Sequence, residues 1–457
     1  MSTELIPLQA DVISANIVGL AGFADDPLAV VASRLVDRGV VVTIAAGDYG
    51  AAGPFFANAG ASGDKVLAVT AVQANLDAEP VFQATFTLNG KSSTATIGEL
   101  YLFNPMPTTR NGWPIIPLTM STNATNDACE TLPDGHPDFT QALALVRLGG
   151  CEARVKQSNL IAAGAQNIIF YWDPATSGTN PSVSRLSSFV ITISDLAGAA
   201  IVNTWLAGGN VTANFSLDTI SSADYWVGMP DANSGKPLVD NSWGPLYDLT
   251  IKPDIAAPGG SIFSCYPYPY AWAKSSGTKP ASAYVAGVAA LYIGKYGGRK
   301  TNPSFNATDL TMRIISSGSS VPSVNLNTWE LTGYSASVAQ VGSGLVNASK
   351  VLDYTTQLSY AKFSLNDTHN FERYQKVDIT NNAQVDVTYS FGILPGAGHE
   401  TWSSEGRVLL GTELTDMELN PTVTLPSSTF KIKAGNTKTA QSVSSPTIAI
   451  IKNMFTH

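Results

Sequence analysis

A lysine and a serine lie one helical turn apart where an apolar segment begins. Residues 275–293 read SSGTKPASAYVAGVAALYI, so Lys279 and Ser282 follow directly after Gly277 and Thr278. A serine activated by a lysine is an established nucleophile and base pair, and a desolvated lysine alone can act as an acid, a base or a Schiff-base former. The spacing therefore suggests two kinds of reaction at this position: hydrolysis by a serine–lysine pair, or acid–base or Schiff-base chemistry by the lysine amine.

The other chemically active residue types indicate neither a metal centre nor a phosphate site. The four histidines (His136, His369, His399 and His457) are scattered, and no group of His, Asp and Glu has the spacing of metal ligands. The glycine-rich stretch AAGDYGAAG around Asp48 lacks the Lys-Ser/Thr pair of a phosphate loop, so we interpret it as a structural turn. We expect no cofactor and no metal.

Composition and charge argue against nucleic acid and membrane as partners. The 457 residues carry 26 Lys and Arg against 35 Asp and Glu, a net charge of −9, and no basic cluster could neutralise phosphates. The uncharged run over residues 12–24 is too short to span a bilayer, and Glu4 and Asp11 break up any secretory signal. Few residues are charged and many are Gly, Ser, Thr, Asn or Pro, which favours secreted ancestry, with an intracellular location as the alternative.

The apolar pattern divides the chain into four parts. Residues 1–75 read strand, helix, strand with unbroken apolar strands, which is typical of a parallel sheet covered on both faces. Residues 76–222 have the texture of a separate α/β insert, and residues 223–353 return to the first pattern. Residues 354–457 hold only strands and turns, as a β-sandwich does.

The segment Pro280–Tyr296 is apolar or small nearly all round. This pattern predicts a helix buried in the centre of its domain. Gly287 lies inside it at a cost of about 1 kcal/mol relative to alanine, so we expect another backbone to pack closely there.

Three segments carry a resemblance to the subtilisin-like serine proteases (the peptidase S8 family): GVVVTIAAGDYG, KPDIAAPGG and GTKPASAYVAGVAALY. Within the insert, LVRLGGCEARVKQSNLIAAGAQNIIFY is similar to the core of a protease-associated (PA) domain, and the last part resembles a fibronectin-III-like sandwich. The resemblance implies an α/β fold class: a subtilisin-like parallel-sheet core lacking its first strands, with an inserted α/β PA domain and a C-terminal β-sandwich.

The same resemblance places Lys279 at the family's nucleophile position and Asp48 at its oxyanion asparagine. A serine protease needs a nucleophile, a base, an orienting carboxylate and an oxyanion donor, and a carboxylate at position 48 would repel a developing oxyanion. The family's aspartate and histidine segments would precede Val12, where the chain has no histidine. We therefore expect none of the protease triad to be retained.

Three functions follow from these departures. The first is a proteolytically inactive pseudoprotease that binds a protein or a small ligand. The second is a repurposed enzyme that uses Lys279 and Asp48 on a small molecule in the remodelled cleft, where Asn16, Val18 and Ser282 would form the pocket. The third is a fragment of a secreted serine endopeptidase.

The resemblance also predicts that Lys279 and Asp48 face each other. The start of a helix disfavours a cation, and an uncompensated buried charge costs several kcal/mol, so changes of opposite sign at neighbouring positions suggest an ion pair within about 4 Å. The alternative is a Lys279 side chain that extends into solvent.

The three cysteines allow one internal disulfide. Cys129 and Cys151 bracket a loop and the strand after it within the insert, so we expect them to pair and Cys265 to stay free. The alternative is a pair of free buried thiols. Six sequons, at Asn123, Asn210, Asn214, Asn306, Asn347 and Asn366, predict glycosylation.

The first strand predicts self-association. Residues 12–17 contain no Lys or Pro to protect an exposed strand edge, and the apolar stretch IVGLAGF follows it. If the family's preceding strands are absent, this edge is open, and we expect a homodimer whose interface includes residues 12–24. The insert is the alternative dimer contact.

Overall fold

The computed structural model describes residues 10–16, 19–98, 101–102, 110–172, 183, 189–215, 226–265, 272–367, 369–419, 422–426 and 430–445. The strands are β1 (Val12–Ala15), β2 (Val41–Ala45), β3 (Leu67–Gln73), β4 (Leu76–Leu88), β5 (Lys91–Gly98), β6 (Tyr101–Leu102), β7 (Arg110–Pro117), β8 (Leu143–Arg147), β9 (Asn167–Tyr171), β10 (Phe189–Ile193), β11 (Asn210–Phe215), β12 (Trp226–Pro230), β13 (Ile255–Gly260), β14 (Ile262–Cys265), β15 (Trp272–Ser275), β16 (Pro322–Val324), β17 (Leu331–Ser335), β18 (Thr356–Leu358), β19 (Tyr374–Asn381), β20 (Val387–Tyr389), β21 (Thr422–Thr424), β22 (Phe430–Ile432) and β23 (Thr437–Ser445). The α-helices are α1 (Pro27–Asp37), α2 (Ala153–Ala162), α3 (Asp195–Leu206), α4 (Thr278–Tyr296), α5 (Ala307–Ser316), α6 (Val338–Val341) and α7 (Ala348–Asp353).

The chain forms two compact units. The larger comprises residues 1–75, 231–262 and 275–457, and the smaller comprises residues 76–230 and 263–274. Each has its own hydrophobic core.

The larger unit is built on a parallel sheet with the strand order β1-β2-β3-β13. Strands β2 and β3 are buried along their whole length, which explains why they read as unbroken apolar runs. Helix α1 covers one face, and Asp26 caps it by accepting a hydrogen bond from the Leu28 N–H at 2.8 Å. Helices α4 and α5 pack on the other face.

Helix α4 is not buried all round, so that prediction was wrong. One side packs on the sheet through Ala281, Val285 and Ala289, but Tyr284 and Leu291 on the opposite side are 46% and 60% exposed. A Cβ atom added at Gly287 would have nothing within 4 Å, so no second backbone packs there. Apolar composition alone did not distinguish a helix that is buried on all sides from one that exposes apolar side chains to solvent.

The smaller unit contains a mixed sheet with helices on both faces. Strands β7, β8, β9 and β10 are parallel neighbours, and antiparallel strands extend the sheet at both edges. Alternate residues of β8 and β9 pack against α3 on one face and against α2 on the other. The sulfur atoms of Cys129 and Cys151 are bonded and Cys265 is free, which confirms both cysteine predictions.

The C-terminal region is rich in strands. An antiparallel sheet has the order β18-β19-β23-β21, and β20 pairs with β22 beside it. Ile379, Phe430, Ile432 and Ala440 form its small core. The likeness of this region to a fibronectin-III domain, and that of the insert to a PA domain, stay predictions.

Candidate functional site at the start of helix α4

The start of α4 is fixed by a sharp glycine turn. Gly277 has φ +131°, a conformation that L side chains rarely adopt, and its N–H donates to the Gly259 carbonyl at 3.0 Å. A Cβ atom here would lie 3.1 Å from both carboxylate oxygens of Asp48. Glycine therefore allows the end of β2 to approach the first turn of α4.

Asp48 caps α4 from the loop that follows β2. Its Oδ1 accepts a hydrogen bond from the Thr278 N–H at 2.8 Å, and the Thr278 hydroxyl accepts one from the Gly47 N–H at 3.2 Å. The first N–H groups of a helix lack intrahelical partners, and the helix dipole favours negative charge there. The carboxylate is thus a structural acceptor at this position.

The predicted pair between Lys279 and Asp48 is wrong. Among the described residues no salt bridge joins them, and Lys279 is exposed while Asp48 is half-buried and engaged by Thr278. The side chain of Lys279 is exposed to solvent, which was the alternative prediction. The helix start supplies the nearer donor, so the carboxylate needs no ammonium partner.

Ser282 points to the buried face of α4. Its hydroxyl donates to the Thr43 hydroxyl at 3.3 Å and lies 3.4 Å from that of Ser14. The exposed Lys279 and the buried Ser282 therefore face different environments, which does not suit a nucleophile and base pair. The predicted pocket of Asn16, Val18 and Ser282 stays a prediction: Asn16 is exposed and Val18 lies outside the described residues.

The chain resembles known proteins over most of its length. A model of the subtilase family matches residues 4–317. The chain belongs to the subtilase family. The PII-type proteinase of Lactococcus lactis subsp. cremoris is 25% identical over 272 residues, covering 55% of this chain and 14% of the relative. The minor extracellular protease Vpr of Bacillus subtilis is 26% identical over 308 residues, covering 65% of this chain and 35% of the relative.

A solved structure is also similar. The psychrophilic subtilisin-like protease Apa1 from an Antarctic Pseudoalteromonas matches with a TM-score of 0.37 and 15% identity, over 77% of this chain and 71% of that one. The chain thus spans a small part of the curated relatives that it matches, 14% and 35% of their lengths.

Within this subtilase, a second charged cluster lies at the opposite end of the parallel sheet. Lys252 and Asp254 belong to the KPDI segment that leads into β13, and both side chains are almost completely buried. The Lys252 Nζ donates to Asp254 Oδ2 at 2.7 Å and to the Val66 carbonyl at 2.7 Å. Asp254 Oδ2 also accepts from the Ala68 N–H at 2.8 Å. The cluster thereby joins the starts of β3 and β13.

A third charged residue completes the cluster. The Lys362 Nζ donates to Asp254 Oδ1 at 2.6 Å and to the Ile251 carbonyl at 3.1 Å. Burial lowers the pKa of Lys252 to about 8, although Asp254 opposes it. Burial acts to raise the pKa of Asp254, but the two ammonium groups lower it overall.

In the sequence, the KPDI segment indicated only a resemblance to the family, and no role was predicted for its lysine and aspartate. A lysine and an aspartate within an otherwise apolar stretch were the available indication of a buried pair. The contribution of Lys362 had no such indication, because it comes from 108 residues further along the chain.

The sequons lie on the accessible side of their elements. Asn347 is half-buried and caps α7, and the other five asparagines are exposed. Glycosylation at these positions stays a prediction.

Proposed function

We propose that this chain is a proteolytically inactive subtilase that acts by binding. The observation that carries the proposal is the state of the two family positions at the start of α4. The sequence resemblance assigns Lys279 to the nucleophile position, and its side chain is exposed; it assigns Asp48 to the oxyanion position, and its carboxylate caps the helix.

These two residues oppose acyl transfer whatever other segments the protein has. Attack by a lysine amine on a peptide would give a stable amide instead of an ester that water can hydrolyse. A carboxylate at position 48 disfavours negative charge on the substrate oxygen, where the family uses a hydrogen-bond donor. The repurposed enzyme that uses Lys279 and Asp48 together is less well supported, since the two side chains do not pair.

Relatives named as proteases, one of them extracellular, support a secreted protease ancestry. None of the helices in the described ranges has the length and apolarity needed to cross a membrane.

The outer face of α4 supports binding, and we propose that a second copy of the chain covers it. Tyr284 and Leu291 form an exposed apolar stripe, defined here as the α4 stripe. In the same unit, β1 pairs with β2, and no other strand of the described residues pairs with it. Exposed apolar surface and a strand edge without a partner strand both favour association.

The activity test uses the purified chain with fluorescein-labelled denatured albumin and a fluorophosphonate probe for reactive serines. We expect neither hydrolysis nor labelling. Hydrolysis that is lost in Lys279→Ala or Ser282→Ala would overturn the proposal.

The binding test is sedimentation equilibrium of the wild type and of the double variant Tyr284→Lys, Leu291→Lys. We expect a dimer for the wild type and a monomer for the variant. Tyr374→Lys, at an equally exposed residue of β19, is the control and should stay dimeric. A monomeric wild type would contradict the proposal that a second copy of the chain covers the α4 stripe.

A further inference from the structure

A cavity of about 620 Å³ opens at the Lys252–Asp254–Lys362 cluster. This volume falls within the roughly 300–1,000 Å³ typical of small-molecule sites. It lies where the KPDI segment, α6 and residues 361–366 meet, within the larger unit and at the N-terminal end of the parallel strands. It is therefore distinct from the start of α4, which lies at the C-terminal end of β2.

Most of the cavity wall is apolar. The chain just before the KPDI segment contributes Leu249 and Ile251, α6 contributes Val338, and the C-terminal region contributes Phe363 and Leu365. Such a wall suits an aliphatic chain, because contact between the two removes apolar surface of both from water.

The charged part of the wall carries one positive charge in excess. Lys252 and Lys362 contribute two ammonium groups, whereas Asp254 supplies a single carboxylate whose two oxygens are both engaged. The exposed Asp64 acts on Lys252 only as the weakest of its charged neighbours. An anion entering the cavity would therefore offset an uncompensated charge.

Lys362 is the ammonium group that a ligand can reach. Its side chain is 30% exposed, whereas that of Lys252 is 2% exposed. An ammonium group has three N–H donors, and the contacts with Asp254 and the Ile251 carbonyl use two of them. The third donor of Lys362 is left for a ligand. The nearby Ser343 hydroxyl already donates to the Ile315 carbonyl at 2.6 Å.

We propose that this cavity binds a single-chain aliphatic carboxylate, with the carboxylate on Lys362 and the chain along the apolar wall. The proposal does not depend on the inactivity of the α4 site. A neutral aliphatic compound would gain the same apolar contacts without the charge-assisted hydrogen bond, and that difference distinguishes charge recognition from simple hydrophobic binding.

The test is isothermal titration of the purified chain with decanoate and, as a neutral probe, with 1-decanol. We expect decanoate to bind at least about tenfold more tightly, which is the size of one charge-assisted hydrogen bond. Lys362→Met, which keeps the apolar stem, should weaken decanoate about tenfold and leave 1-decanol unchanged. Lys350→Met, at a half-buried lysine outside the cavity wall, is the matched control.

A second variant keeps the test valid if Lys362→Met does not fold. Val338 is 53% exposed, so Val338→Glu should fold normally. It places in the cavity wall a negative charge that repels the carboxylate of decanoate, so decanoate binding should again weaken. Equal affinity for decanoate and 1-decanol, no binding of either compound, or decanoate binding that survives the variants would overturn the proposal.

Discussion

The two ends of the parallel sheet each carry lysine and aspartate, yet the residues behave in opposite ways. After β2, Asp48 caps α4 while Lys279 extends into solvent. Before β3 and β13, Asp254 is buried and held by two lysines. Opposite charges near each other in a fold therefore do not pair by default. Of these two sites, the ion pairs form at the one where burial removes water as an alternative partner.

The largest effect is expected from Asp254→Asn. The change leaves two ammonium groups without their carboxylate, one of them fully buried, and should lower the free energy of unfolding by about 3–5 kcal/mol. Urea unfolding measures it. Asp37→Asn, which breaks the exposed pair with Lys65, is the control and should leave the free energy of unfolding almost unchanged. Similar losses in the two variants would break the comparison.

The loss in Asp254→Asn should depend on pH. The pKa of Lys252 is about 8 in the folded wild type, against 10.5 when unperturbed. Without Asp254 the folded pKa falls further, so between that lower value and pH 8 the unfolded variant binds more protons than the folded one. The variant should then gain stability relative to the wild type as pH rises through this window, so its deficit should be smaller at about pH 8.5 than at about pH 6. A deficit independent of pH would show that Lys252 does not respond to Asp254.

A smaller effect is expected at the cap of α4. Asp48→Ala removes the acceptor of the Thr278 N–H and should cost about 1 kcal/mol, whereas Asp48→Asn keeps a side-chain oxygen and should cost less. Thermal unfolding of the two variants compares them. Equal losses would indicate that the negative charge, rather than the hydrogen bond, stabilises the helix start.

The smallest effect is expected from Lys279→Ala. The side chain is exposed and forms no salt bridge with Asp48, so stability should change by less than about 0.5 kcal/mol. A double-mutant cycle with Asp48→Ala should give no coupling between the two residues. A clear coupling energy would restore the ion pair that the sequence predicted.

The sequence predicted the fold more fully than the site. Unbroken apolar runs in residues 1–75 predicted the buried parallel strands β2 and β3, because this pattern depends on neighbours in the chain. The disulfide was predicted for a similar reason, since Cys129 and Cys151 lie within one insert.

The failures have a common physical cause. The partner of Asp48 was mistaken for Lys279 because composition shows charges but not which backbone N–H groups lack acceptors. The exposed face of α4 and the role of Lys362 depend on contacts between distant segments. Local pattern carries no information on such contacts.

The first and last strands of the segment 76–230 have a practical consequence. Strand β12 pairs antiparallel with the start of β4, and Pro230 lies opposite Leu76. Directly beyond this pair, the Asp231 N–H donates to the Asn75 carbonyl at 3.0 Å. The chain thus leaves this segment beside the point at which it entered, so a short turn could join Asn75 to Asp231. A domain with similarly close termini could therefore replace residues 76–230, provided that residues 263–274, which belong to the same unit, are shortened to a turn as well.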